Sequence, residues 1–143
     1  MRHQAGFSLI ESLCVLAITS LIICCLAYLP IQKLGQSYLE KSFKDQLASQ
    51  LYQAQDKAII DQAAVLVQFV KQGPVRFKQT QTRQVFAQVW PPQGWTLNSS
   101  ASFYYLPDGR INQFQTINFQ KTDGQLVSLV FQLGSGQFVF KEQ

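Results

Sequence analysis

The sequence has few of the side chains that usually carry chemistry outside a membrane. Its only histidine is His3, and no cysteine follows Cys25. The absence of cysteine beyond that point excludes a disulfide in the rest of the chain. No group of His, Asp and Glu has the spacing of metal ligands, and no phosphate-binding loop or nucleophile motif is present. We therefore expect a protein that is not an enzyme and needs no metal or cofactor.

Charged residues are also scarce. Asp, Glu, Lys and Arg make up 14% of the 143 residues, and the formal net charge is +4. A bias of this size is too small by itself to indicate a nucleic-acid partner. Glutamine takes many of the polar positions, so the predicted surface forms hydrogen bonds more than it carries charge. The 47% apolar content is enough for one core, which predicts one globular domain.

Residues 7–29 form a long apolar run whose only charged residue is Glu11. A helix of this length measures about 35 Å and can cross a hydrocarbon core of about 30 Å once. All three cysteines lie in this run, where we interpret them as small apolar filler. Arg2 precedes the run, so the positive-inside rule places the N-terminus in the cytoplasm and the C-terminal part outside. No small-x-small cleavage site follows, which predicts that the helix is retained.

Glu11 needs an explanation, because an ionised carboxylate at the centre of a bilayer costs about 2.5–3.5 kcal/mol on insertion scales. One explanation is that Glu11 lies near the helix start, reaches the interface and is favoured by the positive end of the helix dipole. The other is that the carboxylate has a partner or a task.

The residues around Glu11 resemble the class III signal of type IV pilins and pseudopilins. They read Gly6-Phe7-Ser8-Leu9-Ile10-Glu11, and Gly6 is the last residue of a short leader, residues 1–6. In that family a prepilin peptidase cuts after the glycine and methylates the new N-terminal residue. The resemblance implies cleavage between Gly6 and Phe7 and N-methylation of Phe7. It also implies that Glu11 is the family's glutamate at the fifth mature position.

The resemblance further implies how Glu11 is neutralised. Cleavage frees the amine of Phe7, whose reference pKa of about 7.7–8.0 makes it a cation. In the pilin mechanism the glutamate of an incoming subunit pairs with the amine of the subunit before it, and each charge offsets the desolvation of the other. N-methylation keeps the positive charge, so the pair survives and gives assembly a register.

Residues 30–61 change from uniformly apolar to amphipathic. Apolar residues recur mostly at intervals of three and four, which predicts a helix that continues from the membrane segment and packs one face on a core. The predicted core-facing residues are Ile31, Leu34, Tyr38, Phe43, Leu47, Leu51, Ala54 and Ala58. Pro30 lacks the N–H that would bond to the Leu26 carbonyl, so we expect a kink there. Pilins commonly carry a helix-breaking proline in this region.

Residues 62–143 are predicted to form strands separated by turn sequences. The apolar runs are residues 65–70, 75–79, 85–90, 103–106, 117–119, 127–133 and 138–140. The last three have the spacing of an antiparallel meander. Asp108 and Asp123 each precede glycine, so we interpret them as turn formers. Helix first and strands afterwards predict an α+β fold of the type IV pilin kind, with a long N-terminal helix packed on an antiparallel β-sheet domain.

Further segments are similar to the ComGD pseudopilins of Gram-positive competence systems. They are Glu11-Ser12-Leu13 with Val15-Leu16, the helical segment 46–59 with Gln55 and Ala58, and Leu133-Gly134-Ser135-Gly136 with Phe138-Val139. The turn Leu106-Pro107-Asp108-Gly109 is also similar to H-type pseudopilins of type II secretion and to FimT-like minor pilins. This resemblance implies a minor pilus subunit for DNA uptake in transformation. Its partners would be prepilin peptidase, the major competence pilin, other minor pseudopilins and the membrane.

A basic cluster leaves a direct contact with DNA open. It consists of Lys71, Arg76, Lys78 and Arg83, which lie in a stretch without an acid. Arg76 and Lys78 are expected on one face of a strand around Phe77, where they can bind phosphates through salt-sensitive contacts. The alternative is a solvated basic hairpin or a surface that contacts another subunit. FimT-like proteins are associated with DNA binding. The tail of this chain, residues 140–143, has no basic cluster that would support the same role here.

We expect the mature protein from cells to begin with N-methyl-Phe7, because the leader and the position of Glu11 together match a prepilin signal. Mass spectrometry of the N-terminal peptide checks this directly. Recovery of the intact Met1 terminus would instead favour an unrelated single-span membrane protein with a chance Gly-Phe spacing.

Overall fold

The computed structural model describes residues 9–27, 31–132 and 134–142. Within these residues the chain forms two helices and eight strands. They are α1 (Leu9–Ala27), α2 (Ile31–Ile60), β1 (Val65–Phe69), β2 (Val75–Gln79), β3 (Val85–Val89), β4 (Trp95–Leu97), β5 (Ala101–Tyr105), β6 (Thr116–Lys121), β7 (Leu126–Phe131) and β8 (Phe138–Glu142). The order confirms the predicted α+β fold. Pro30 lies outside the described residues, and the kink there stays a prediction.

The chain divides into two compact units, Met1–Ser37 and Tyr38–Gln143. We call the second the C-terminal unit. In the first unit, all 19 residues of α1 are exposed. A helix that is apolar on every side and exposed is not stable in water, so it requires lipid or other apolar chains around it. By length and composition α1 can cross a membrane.

Helix α2 packs on the rest of the C-terminal unit along the predicted stripe. Its buried residues are Phe43, Leu47, Leu51, Ala54 and Ala58. The prediction was wrong for Tyr38, whose side chain is 73% exposed. The periodicity of the stripe continues past the point where the core ends, and Phe43 is the first of the predicted residues that reaches an aromatic partner, Trp95, with ring centroids 5.5 Å apart. The side chains of Ile31 and Leu34 lie outside the described residues.

The strands form two antiparallel sheets of four strands each. The sequence predicts a single β-sheet domain and does not show that its strands divide into two sheets. Sheet A has the order β3-β2-β1-β5, and sheet B has the order β4-β6-β7-β8. The meander of the last three strands is confirmed, since β7 pairs with both β6 and β8. Strand β4 was not predicted, because three residues after a Pro-Pro-Gln-Gly turn are too few to show a period. It pairs with β6 at the edge of sheet B.

The two sheets and α2 share one aromatic core. Phe69 of sheet A contacts Phe119 of sheet B with ring centroids 6.3 Å apart, and Phe103 contacts Phe131 at 4.6 Å. Phe43 of α2 reaches the same Phe119 at 5.6 Å. Edge-to-face ring contacts of this kind add about 0.5–1.5 kcal/mol each beyond the area they bury. The C-terminal unit therefore buries its own apolar faces.

Gln55 of α2 connects two loops of this unit. Its Nε2 donates to the carbonyl oxygen of Gly109 at 2.7 Å and to that of Ser135 at 3.0 Å. Gly136 lies so close that a Cβ there would come within 2.6 Å of the Gly109 oxygen, and its φ of +67° also favours glycine. The hydroxyl of Tyr105 donates to the Gly136 carbonyl at 3.3 Å. Two of the segments that resemble ComGD, residues 46–59 and 133–139, thus meet the turn that resembles H-type pseudopilins and FimT-like pilins.

We expect the Leu51→Ala variant to lose about 2–5 kcal/mol of unfolding free energy, because Leu51 is fully buried and its truncation leaves a cavity. Leu39→Ala is the matched control, since Leu39 lies on the same helix and is 54% exposed. It should change stability by about 0.5 kcal/mol or less. Urea unfolding of the full chain in neutral detergent, followed by near-ultraviolet circular dichroism, measures both. Equal losses would contradict the described packing of α2.

We expect Gln55→Ala to destabilise the C-terminal unit by about 1–3 kcal/mol, because it leaves two carbonyl groups without their donor. Gln53→Ala is the control, since Gln53 lies on the same helix and is exposed. Hydrogen exchange should show faster exchange in the two loops only for Gln55→Ala. Unchanged protection of both loops would show that the glutamine does not hold them.

Candidate assembly site

Glu11 lies in the first turn of α1 and is exposed. Its position is the one at which the partial positive charge of a helix N-terminus favours a carboxylate. The predicted cleavage and methylation residues, Gly6 and Phe7, lie outside the described residues. Both therefore stay predictions, and the described part of the site is the helix that carries Glu11.

The hydroxyl groups of Ser12 and Thr19 on α1 are satisfied by the helix itself. The hydroxyl of Ser12 donates to the Leu9 carbonyl at 3.1 Å, and that of Thr19 donates to the Val15 carbonyl at 3.0 Å. Such bonds let hydroxyl groups enter lipid without an unpaired donor. An ionised carboxylate only accepts hydrogen bonds, so Glu11 differs from these hydroxyl groups, which donate.

The surroundings of Glu11 on the helix surface are apolar. At 3.6 residues per turn, Cys14, Ile18 and Cys25 share its face, and all three are exposed. The thiols of Cys14 and Cys25 are free. A helix packed on this face would contact small and apolar side chains around Glu11.

The structure places two of the four predicted basic residues on β2, an inner strand of sheet A, and the other two in the connections on either side of β2. Arg76 and Lys78 lie on the outer face of β2, opposite the buried Phe77, as the alternation predicted. Lys71 follows β1 in the turn to β2. Arg83 lies in the turn to β3 with a φ of +55°. The polar neighbours of Arg76 come from β1, β3 and β5. They were not predicted, because a local sequence pattern does not show the order of strands in a sheet.

The two aspartates interpreted as turn formers hold turns. Oδ1 of Asp108 accepts from the backbone N–H of Arg110 at 3.0 Å, and Oδ1 of Asp123 accepts from that of Gln125 at 3.0 Å. The backbone N–H of Arg110 lowers the pKa of the Asp108 carboxyl below its ordinary value. Among the described residues, no group of three or more His, Cys, Asp or Glu side chains is placed to hold a metal ion.

Comparison with known proteins bears on the N-terminal segment. Residues 1–23 match the family model described as the prokaryotic N-terminal methylation motif. No curated protein and no solved structure matches the chain.

The residues matched by the methylation motif include Gly6, Phe7 and Glu11, and the family of this motif is structural rather than enzymatic. With the apolar helix α1, the motif supports a prepilin-like protein, a type IV pilin-like subunit of a pilus or pseudopilus. The motif also implies processing by a prepilin peptidase and assembly with other pilins.

Proposed function

We propose that the chain is a minor pseudopilin of a Gram-positive competence pilus, of the ComGD kind, and that it serves DNA uptake in natural transformation. The observation that carries the proposal is the single carboxylate in the first turn of an apolar, fully exposed helix inside a methylation motif. The major competence pilin and other minor pseudopilins are its assembly partners. It starts in the cell membrane as a single-span protein and ends in a pilus at the cell surface.

The proposed organisation follows from the motif and the elements. Prepilin peptidase removes residues 1–6, and residues 7–29 then cross the membrane. Residues 30–61 continue as the amphipathic helix, and residues 62–143 form the β-rich part outside. The described α1, Leu9–Ala27, spans about 28 Å at about 1.5 Å per residue, close to the hydrocarbon thickness of about 30 Å.

Pairing of Glu11 with a second subunit gives the assembly step its free energy. Glu11 lies four positions after Phe7, and four positions of a helix measure about 6 Å. A neighbouring subunit displaced along the helix axis can therefore bring its own terminal amine beside Glu11. Either charge alone in hydrocarbon costs about 2.5–3.5 kcal/mol on insertion scales, and the pair removes most of that cost for both. A subunit in the wrong register does not form this pair.

The competence assignment is supported by the loops around Gln55. The two segments of the ComGD resemblance in the C-terminal unit, residues 46–59 and 133–139, are far apart in the chain, yet Gln55 donates to the Ser135 carbonyl. Segments that meet in space have a shared structural reason to occur together, so their joint presence weighs more than two separate matches.

Glu11→Gln tests the assembly role. The variant should still be cut and methylated, because the Gly6-Phe7 bond is unchanged. Its incorporation into sheared pili should fall about 70- to 400-fold, the ratio that corresponds to an unpaired amine costing about 2.5–3.5 kcal/mol. Transformation frequency should fall with it. Quantitative immunoblots of the pilus and membrane fractions measure the ratio.

Ser12→Ala is the matched control, since it removes a neighbouring polar group whose hydroxyl bonds only within its own helix. It should assemble like the wild type. Normal incorporation of Glu11→Gln would overturn the role of the carboxylate. A strain that lacks the protein but transforms at the normal frequency would overturn the competence assignment alone.

A further inference from the structure

Sheet A carries charge of one sign. All four of its strands fall within residues 62–107, which contain four basic residues and no acidic one. The four are Lys71, Arg76, Lys78 and Arg83. Each strand of sheet A, and each connection between these strands, is therefore neutral or positive.

Among the described residues, these four cations also lack the ion pairs that four of the six other basic residues in the C-terminal unit have. Lys44, Lys57, Arg110 and Lys121 each contact a carboxylate. Among the described residues, no carboxylate lies within 4.0 Å of any of the four cations that accompany sheet A. Their charge is therefore available to an anion from outside the chain.

Arg76 is the centre of a polar row across the outer face of sheet A. The cross-strand register aligns Gln88, Arg76, Gln68 and Ser102. Lys78 lies two residues along β2 and donates to Oε1 of Gln68 at 3.2 Å. Nε of Arg76 is buried and has no hydrogen-bond partner among the described residues. A buried donor without an acceptor is costly.

Arg83 extends the positive surface beyond the end of β2. It lines a depression of about 290 Å³ together with Lys78 and the half-exposed Tyr104. Along β2, Arg76 and Lys78 are about 6.7 Å apart at 3.3–3.4 Å per residue. Neighbouring phosphates of a DNA strand rise about 3.4 Å along the axis and are farther apart through space, so two cations at this separation need not share one phosphate. Cations in this line can contact different phosphates of one strand.

We infer that the outer face of sheet A binds the sugar–phosphate backbone of DNA without sequence preference. The inference rests on the proposed function, which makes DNA the polyanion that this protein meets. Phosphate oxygens accept hydrogen bonds from arginine, lysine, amide and hydroxyl donors. The row through Arg76 contains the arginine, the amides and the hydroxyl, and Lys78 beside it supplies the lysine. An interface with an acidic protein would instead centre on apolar anchors, and this row has none.

The test measures binding of a fluorescein-labelled DNA duplex of mixed sequence to the full chain in neutral detergent. With four phosphate contacts the affinity should fall about 150-fold between 50 and 200 mM salt. The double variant Arg76→Gln with Lys78→Gln keeps two contacts, so its affinity should fall only about twelvefold over the same range. Fluorescence anisotropy provides both slopes.

Lys41→Gln with Lys141→Gln is the matched control, because it removes the same charge from two lysines that have no carboxylate within 4.0 Å and lie outside sheet A. It should keep the wild-type slope. Arg83→Asn is a second variant, since asparagine tolerates a positive φ, and it should lower the slope by about 0.9. Equal slopes for all variants would show attraction by net charge alone and overturn the inference. So would displacement of the DNA by an equal charge of poly-glutamate, which would indicate an acidic protein as the partner.

Pilus assembly separates this inference from the proposed function. The Arg76→Gln, Lys78→Gln strain should form pili at the wild-type level and take up less DNA. If the wild-type protein assembles and supports transformation but shows no salt-dependent DNA binding, the inference fails and the pilus role stands. If the protein binds DNA as described but its deletion leaves transformation normal, the proposed function fails.

Discussion

The carboxylate of Glu11 on an apolar helix is the constraint on which the organisation of this protein depends. Every residue of α1 is exposed, and the hydroxyls of Ser12 and Thr19 bond within the helix. The helix therefore enters lipid at little cost except at Glu11. In the proposed assembly, a neighbouring terminal amine removes that cost without adding a polar group to the chain itself. Under that proposal, the free energy of assembly and the choice of register come from the same contact.

The C-terminal unit satisfies the opposite requirement, because it buries its own apolar faces. Phe43, Phe119 and Phe131 join α2 and both sheets in one core, and Gln55 holds two loops against the helix. Changes in this core are expected to alter unfolding, whereas changes on α1 alter association. The two units of the chain therefore carry separable properties, and a stable C-terminal unit is compatible with a complete loss of assembly.

Local patterns were enough to predict most elements but not their arrangement. The position of Glu11, the buried stripe on α2 and the alternation at Phe77 all depend on residues a few positions apart. Tyr38 was assigned to the core because a periodic stripe does not show where its packing partner ends. Strand β5 pairs with β1 across more than thirty residues, and the division into two sheets depends on such pairs. The donor role of Gln55 needs both loops in place, so no local signal could reveal it.

The uneven distribution of charge along the chain explains why the overall composition underestimates the positive charge around sheet A. In the C-terminal unit, residues outside 62–107 carry six basic and seven acidic side chains, so they are close to neutral. The excess positive charge of this unit comes from the four cations that accompany sheet A. A net charge of +4 spread over the whole chain would produce a weak field, but the same charge on one acid-free face produces a local positive potential. A polyanion responds to that local potential, and salt screens it over about 8–10 Å. The position of the charges, set by strand pairing, therefore matters more for recognition than their number.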